Sequence, residues 1–352
     1  MPLPSFLRRF PPWFGHAIGI DLGTANTLVF IRDRGIVINE PSVVAVNNRN
    51  GQIIAVGDEA KAMVGKTPAH ITATRPLVHG IISDFEVTEK MLRYFIEKVE
   101  GGRRFSFARP RVIIGIPLDV TEVERKAVED ATLAAGARDV FLIEQPLAAA
   151  LGARLPIEES VGSMVVDIGG GTTDIAVISL GGIVTSRSLR VAGDEFNRNI
   201  VQYARDHFNL ALGERNAEVI KMRIGTAAPP TEAMEMPMRG RDIISGLPKE
   251  IIVNDAQIRE ATQRSVHAII DGVHATLETT PAELVADIYE RGMVLTGGGA
   301  LLRGLDEVIA ASSQVHVRIA DDPLTCVVRG TGLLLDNADL LREVRVPSTR
   351  IQ

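Results

Sequence analysis

The most constraining feature of this chain is a strand–aspartate–turn–strand pattern that occurs twice. One copy is Met164–Val177, MVVDIGGGTTDIAV. An apolar, β-branched run ends in Asp167, three glycines and two threonines follow, and Asp174 leads into a second apolar run. Val, Ile and Thr favour strands, and a Gly cluster between two such runs reads as a tight turn. Gly169, Gly170 and Gly171 lack Cβ atoms, so this turn is expected to adopt φ > 0 and to let a ligand approach its N–H groups. A turn of free N–H groups flanked by hydroxyls suits a phosphate chain, and Asp167 suits a cation travelling with it, Mg²⁺ above all. A structural hairpin with a Gly-rich tip gives the same local sequence. The second copy, Ala17–Ile31 (AIGIDLGTANTLVFI), argues against that reading. Aligning Asp21 with Asp167, 146 positions apart, also aligns Gly23 with Gly169, Asn26 with Thr172 and Thr27 with Thr173. The repeat implies a duplicated α/β domain whose turns face each other across one phosphate chain.

At 352 residues the chain has length for two domains. A net charge of −6 leaves no basic excess for general nucleic-acid binding. The single cysteine, Cys326, cannot form an internal disulfide, which fits a reducing compartment. Ser160–Ser186 is apolar, but its aspartates and glycines make it a poor membrane span.

Two segments point to a membrane surface instead. In residues 1–14, Phe6, Leu7, Phe10, Trp13 and Phe14 surround Arg8 and Arg9. The arginines interrupt the apolar run that a signal peptide needs, so an interfacial anchor is the functional reading. A terminus packed on its own domain is the alternative. Gly101–Pro110 (GGRRFSFARP) sets Phe105 and Phe107 among arginines in a loop, which reads as a membrane-dipping tip or a partner contact. A loop folded back on the domain is the alternative here.

Between these segments, strands and helices alternate. Ser42–Val46 and Ile53–Val56 read as strands, and helical patterns begin at Asp58 and Asp84. Gly65-Lys66-Thr67 lacks the earlier glycine of a P-loop. Arg111–Pro117 is a buried-type strand, and Thr121 with Glu124 predicts a capping box for a helix running to Gly136. Strand Val140–Ile143 leads through Glu144-Gln145-Pro146 into a predicted helix Leu147–Ala153. Asp194–His207, Ala217–Ile224 and Gln257–Thr276 are helical in pattern. Met293–Gly304 (MVLTGGGALLRG) fails the dinucleotide pattern at Leu302, and a base or ribose resting on its turn fits better.

Taken in order, IDLGTANT, RVIIGIPLDVT, VVDIGGGTTDIAV, MVLTGGGALLRG and CVVRGTGLLL resemble the five motifs of the actin-like ATPase superfold of actin, heat-shock chaperone ATPases and sugar kinases. GIVINEPSVVAV, FLIEQPLAAALGA and LTGGGALLRGLD look like bacterial MreB proteins. The resemblance implies an α/β fold of duplicated ribonuclease H-like domains, with four subdomains around a central nucleotide cleft. Residues 1–14 are then an anchor segment. Residues 15–40, 78–150 and 326–352 form subdomain IA, and 41–77 form IB. Residues 151–190 and 252–325 form IIA, and 191–251 form IIB. It further implies ATP with Mg²⁺, self-assembly into filaments, the inner face of the cytoplasmic membrane, cell-wall elongation machinery as partner, and maintenance of rod shape. Thr24, Ala25 and Asn26 match the first phosphate loop, and Gly170, Gly171 and Thr172 the second. Glu218, Val219, Ile220 and Lys221 fall on the nucleoside-contacting helix, and Gly298, Gly299, Ala300 and Leu301 on the adenosine loop. Asp21 and Asp167 match the metal-associated carboxylates, acting through water, and Gln145 and Thr172 the catalytic positions.

Gln145 is the notable departure, because MreB proteins usually carry an acidic residue there. Glutamine can orient water but cannot accept its proton, so hydrolysis is expected to be slower than in a Glu-bearing relative. Asp174 stands where Glu is frequent, and Pro2, Pro4, Pro11 and Pro12 break the N-terminal amphipathic helix of relatives. A sugar or metabolite kinase of the same superfold needs a further catalytic base, for which no motif stands out. A chaperone ATPase needs a substrate domain beyond Gln352.

Overall fold

The computed structural model describes residues 17–99, 109–229 and 232–347. The anchor residues Phe6, Leu7, Phe10, Trp13 and Phe14, and the loop residues Phe105 and Phe107, lie outside them. Among the described residues, no helix is long and apolar enough to cross a membrane.

The duplication is visible in the sheets. In the first, Ala17–Leu22, Asn26–Ile31 and Gly35–Pro41 form an antiparallel meander. Arg111–Ile116 and then Asp139–Glu144 add in parallel on the other side of Ala17–Leu22. In the second, Ser163–Ile168, Thr173–Ser179 and Gly182–Leu189 form the meander. Met293–Thr296 and Val317–Ile319 add in parallel beside Ser163–Ile168. Both sheets therefore have the same strand order and directions.

Each sheet has one core of its own and one shared with the other. Met91, Leu92 and Phe95 of the helix Phe85–Val99 cover the first sheet, and Ile269 and Val273 of Asp255–Glu278 cover the second. Full burial of such side chains contributes roughly 1.5–3 kcal/mol each. The shared core joins Ile113 and Ile143 to Val165, Ala176 and Ile178 through the helices Gln145–Gly152 and Cys326–Asp336. These helices cross on glycines. A Cβ on Gly330 would lie 1.8 Å from the Ala148 carbonyl oxygen, and one on Gly152 1.9 Å from that of Cys326. Larger residues there would push the two halves apart.

Two smaller units sit above the sheets. One holds Val44–Asn47, Gln52–Val56, Ile71–Thr74 and the helix Asp58–Met63 around Val43, Ala45, Ala55 and Ala60. The other packs the helices Gly193–Phe208 and Glu214–Ile224 on a sheet of Leu210–Ala211, Glu235–Asp242 and Pro248–Asn254.

The predicted capping box forms: Glu124 N–H donates to Thr121 Oγ1 at 3.3 Å, and Thr121 N–H to Glu124 Oε2 at 2.7 Å. That helix, Glu122–Ala134, gives way to Gly136 at φ +117°. The helix expected from Leu147 begins earlier, at Gln145, with Glu144 as its N-cap. Proline's fixed φ suits a first helical turn, so Pro146 starts this helix and Gln145 becomes its first residue.

Candidate active site

The two repeated turns meet tip to tip. A Cβ on Gly170 would lie 2.6 Å from Ala25 Cβ, and one on Gly171 2.5 Å from Thr24 Oγ1 and 2.8 Å from His79 Cα. This corrects the expected reason for the glycines, because none of Gly169, Gly170 and Gly171 has φ > 0. At Gly170 and Gly171 the absent Cβ is needed for the approach of the opposite turn, not for a left-handed backbone, whereas a Cβ on Gly169 would meet only the Thr172 carbonyl oxygen at 3.4 Å. Gly169 N–H donates to the Thr172 carbonyl at 2.9 Å, which closes the second turn. Thr24 and Thr172 are buried beside these glycines, and Ala25 and Asn26 complete the first turn.

Carboxylates collect beneath the turns. Asp21 and Asp167 occupy matching strand positions, and Gln145 Nε2 donates to Asp21 Oδ1 at 3.2 Å. Thr296 Oγ1 donates to Asp167 Oδ1 at 2.9 Å. Burial pushes Asp21 up to about 7 despite the Gln145 bond. Burial, reinforced by the charge of Asp21, pushes Asp167 up to about 8. Asp174 is raised to about 6 by burial, and its Oδ1 has no hydrogen-bond partner. Glu144 is raised by burial first, with Arg125 opposing and Asp174 adding. No cluster of three or more His, Cys, Asp or Glu groups with metal-binding geometry occurs among the described residues. Asp21, partly buried, and Asp167, buried, form a carboxylate pair whose surroundings oppose negative charge. Such a pair fits a hydrated divalent ion that arrives with a phosphate ligand.

Two walls rise from the second turn. On one side Gly193 N–H donates to the Gly169 carbonyl at 3.1 Å, and Lys221 Nζ to the Gly193 carbonyl at 2.8 Å. Burial lowers the Lys221 ammonium, while Asp194 and Glu218 work against that. On the other side a Cβ on Gly297 would lie 2.4 Å from the Ile168 carbonyl oxygen, and one on Gly299 2.2 Å from Ile168 Cγ2. Gly298 and Leu301 are exposed, whereas Ile220 and Ala300 are core residues whose side chains are buried. Val219 is exposed on the helix Glu214–Ile224.

Comparison with known proteins bears on this geometry. A family model described as MreB/Mbl protein matches residues 15–343. The chain belongs to the MreB/Mbl family. It is 50% identical over 328 residues to the cell shape-determining protein Mbl of Bacillus subtilis (strain 168), covering 93% of this chain and 98% of that one. It is 49% identical over 340 residues to the cell shape-determining protein MreB of Escherichia coli (strain K12), covering 95% and 97%. Among solved structures it resembles MreB5 of Spiroplasma citri bound to ADP, with TM-score 0.88, 39% identity and 93% and 98% coverage. The same protein bound to AMPPNP gives a TM-score of 0.87 at 39% identity, with 92% and 97% coverage. The actin-like α/β fold expected from the motifs therefore holds.

In this MreB/Mbl chain, several residues at the cleft escape sequence reasoning. His79, at φ +51°, and Gly80 wedge between the turns. Gly80 N–H donates to Thr24 Oγ1 at 2.7 Å, and His79 Nδ1 donates to the Gly171 carbonyl at 3.0 Å. A His-Gly pair between short apolar runs is an ordinary turn signal, and only the fold brings it to both tips. Across the cleft mouth, Lys61 pairs with Glu218 at 3.0 Å, and Arg75 with Asp194 at 3.1 Å and Glu214 at 3.2 Å. Nothing in the sequence links these residues, which lie more than a hundred positions apart.

Proposed function

We propose that the cleft binds ATP with Mg²⁺, and that the chain is an actin-like cytoskeletal protein that determines cell shape through nucleotide-dependent filaments. The observation that carries this reading is the interlocked pair of turns beside two carboxylates, Asp21 and Asp167, whose surroundings oppose negative charge. The nucleotide-bound relatives and the cell shape-determining relatives support it. N–H groups around Thr24–Asn26 and Gly170–Thr172 would hold the β- and γ-phosphates from opposite sides. Glu218 and Lys221 would face the nucleoside, with Gly298–Leu301 opposite. Asp21 and Asp167 would hold Mg²⁺ through its water shell, and the ion would offset phosphate charge. Gln145 would orient the attacking water with Thr172, and proton transfer would go to phosphate oxygen or solvent, because an amide cannot accept it. Hydrolysis is then a slow timing step subsidiary to assembly.

The division into subdomains IA, IB, IIA and IIB at the boundaries given above belongs to the same proposal, with the cleft between the two smaller units. So do peripheral attachment to the inner face of the cytoplasmic membrane, through residues 1–14 and the loop 101–110, and partnership with the cell-wall elongation machinery. Sedimentation with ATP, with and without anionic liposomes, tests the reading. Polymer that pellets with ATP and co-floats with liposomes is expected. Absence of polymer in both conditions would overturn the filament assignment. Deleting residues 1–14 together with Phe105→Ser and Phe107→Ser should abolish flotation, and either change alone should weaken it, as for two linked weak anchors.

A further inference from the structure

The strand Met293–Thr296 leads through its glycine turn to Arg303, whose side chain reaches back to the helix on the other wall of the cleft. Arg303 Nη2 donates to the Ile224 carbonyl at 2.9 Å, and Nε to the Gly225 carbonyl at 3.1 Å. Ile224 is the last residue of the helix Glu214–Ile224, and Gly225 is its C-cap. One planar guanidinium thus satisfies two carbonyls at the negative end of the helix, where a cation is favoured. The backbone repeats the link. Ala227 N–H donates to the Arg303 carbonyl at 2.8 Å, while Thr226 Oγ1 donates to the Ala228 carbonyl at 2.9 Å with the Arg303 oxygen at 3.2 Å. The junction is tight on both strands. A Cβ on Gly225 would lie 3.0 Å from Leu302 Cδ1, and one on Gly304, at φ +68°, 2.5 Å from Ala228 Cβ. Asp255 Oδ2, 3.8 Å from Arg303 Nη2, accepts from Met234 N–H at 3.0 Å and extends the network to the next helix.

We propose that Arg303 is a positioning residue that sets the width of the nucleoside pocket. The helix carrying Glu218 and Lys221 meets the second phosphate turn near its C-terminal end, through Lys221 and Gly193, and the turn carrying Gly298–Leu301 meets it through Ile168. They are two walls that meet the same turn. Arg303 ties them directly to each other, one helical turn beyond Lys221. Without the guanidinium, only the backbone link at Ala227 and the Lys221 contact hold the helix end, so it shifts outward with the smaller unit that contains it and the walls no longer match a fixed nucleoside. The phosphate turns, Asp21, Asp167 and Gln145 are no part of this tie and keep their positions.

This inference rests on the reading of the cleft as a nucleotide site, and the test separates the two. ATP and ADP dissociation constants are measured for the full chain and for Arg303→Ala and Arg303→Lys, with phosphate release at saturating ATP and melting of the nucleotide-free protein. Arg303→Ala should weaken both nucleotides about tenfold. KM should rise in parallel while kcat stays within about twofold, which defines a loss of uniform binding. Arg303→Lys should fall between, since an ammonium can reach one carbonyl but not both in fork geometry. Affinity unchanged in Arg303→Ala overturns the proposal, as does a joint fall of kcat, affinity and melting temperature. If Arg303→Ala does not fold, wild-type affinity in Arg303→Lys overturns it. A wild-type chain that fails to bind ATP overturns the nucleotide reading itself.

Discussion

Gln145 Nε2 donates to Asp21 Oδ1 at 3.2 Å across 124 positions of chain. The bond is possible because Pro146 starts a helix at this point and Gln145 becomes its first residue. It couples the residue expected to orient water to a carboxylate expected to hold the cation. Gln145→Glu replaces a donor by an anion beside Asp21. With Mg²⁺ present, phosphate release from filaments should rise on the order of tenfold, because a carboxylate can accept the water proton. Without Mg²⁺, the same variant should melt at a lower temperature than wild type, since a further carboxylate joins two whose charged forms are already disfavoured. Equal or slower phosphate release in the variant would sink the assignment of Gln145.

The contact between turn tips makes a second, sharper prediction. Gly170→Ala puts a methyl group 2.6 Å from Ala25 Cβ, and both atoms belong to short, stiff residues. Gly171→Ala meets Thr24 Oγ1 and the backbone of His79 together. Overpacking of this kind costs about 1–3 kcal/mol. Both variants should lose that stability in urea titrations, and both should lose ATP binding measured by calorimetry. A Gly182→Ala control, whose Cβ would meet only the Ser179 carbonyl oxygen at 3.9 Å, should lose neither.

The carboxylate pair makes stability depend on pH in a stated direction. Asp21 and Asp167 have folded values raised to about 7 and about 8, above their ordinary values. A raised folded value means that the contribution is fully present below the ordinary carboxylate range. It is lost as pH climbs through 7 and 8. The nucleotide-free protein should therefore lose roughly 3 kcal/mol relative to Asp21→Asn between pH 5 and pH 9. Mg²⁺ binding with ATP requires the charged forms, so it should tighten over the same interval and restore the lost stability. Melting curves at several pH values, with and without Mg²⁺·ATP, measure both slopes. Parallel curves for wild type and Asp21→Asn would contradict the buried-pair account.

Local chemistry explains why so much was legible in advance. The paired turns, the Thr121–Glu124 capping box and the Glu218–Lys221 helix face each depend on residues a few positions apart, and all are visible as spacing. The repeat carried that local reading to the architecture, because two copies of one hairpin imply two copies of one sheet. What escaped was of two kinds. The glycines at 169–171 are expected to admit a ligand and to adopt φ > 0, whereas none has positive φ, and at Gly170 and Gly171 the constraint comes from Thr24, Ala25 and His79. Contacts between distant segments, such as Gln145 with Asp21, Arg303 with Ile224 and Arg75 with Asp194, leave no periodic trace.

The pairs across the cleft mouth give the last prediction. Lys61 and Arg75 belong to one small unit, and Glu218, Asp194 and Glu214 to the other. A nucleotide held beneath them leaves only when the units part, so these pairs must break on the exit path. All are partly exposed, and each contributes about 0.2–1 kcal/mol that salt screens. Arg75 faces two carboxylates and should matter most. Arg75→Ala should speed ADP release about two- to fivefold at low ionic strength, a range consistent with pairs of that strength. Lys61→Ala should act more weakly, because it removes one partner and frees Glu218 for the nucleoside. The difference between Arg75→Ala and wild type should shrink as salt rises toward 0.5 M, where the Debye length falls to roughly 4 Å. Stopped-flow displacement of a fluorescent ADP analogue at several salt concentrations measures this directly. A wild-type release rate that ignores salt would mean that the units part without breaking these pairs, and the cleft would then open along another line.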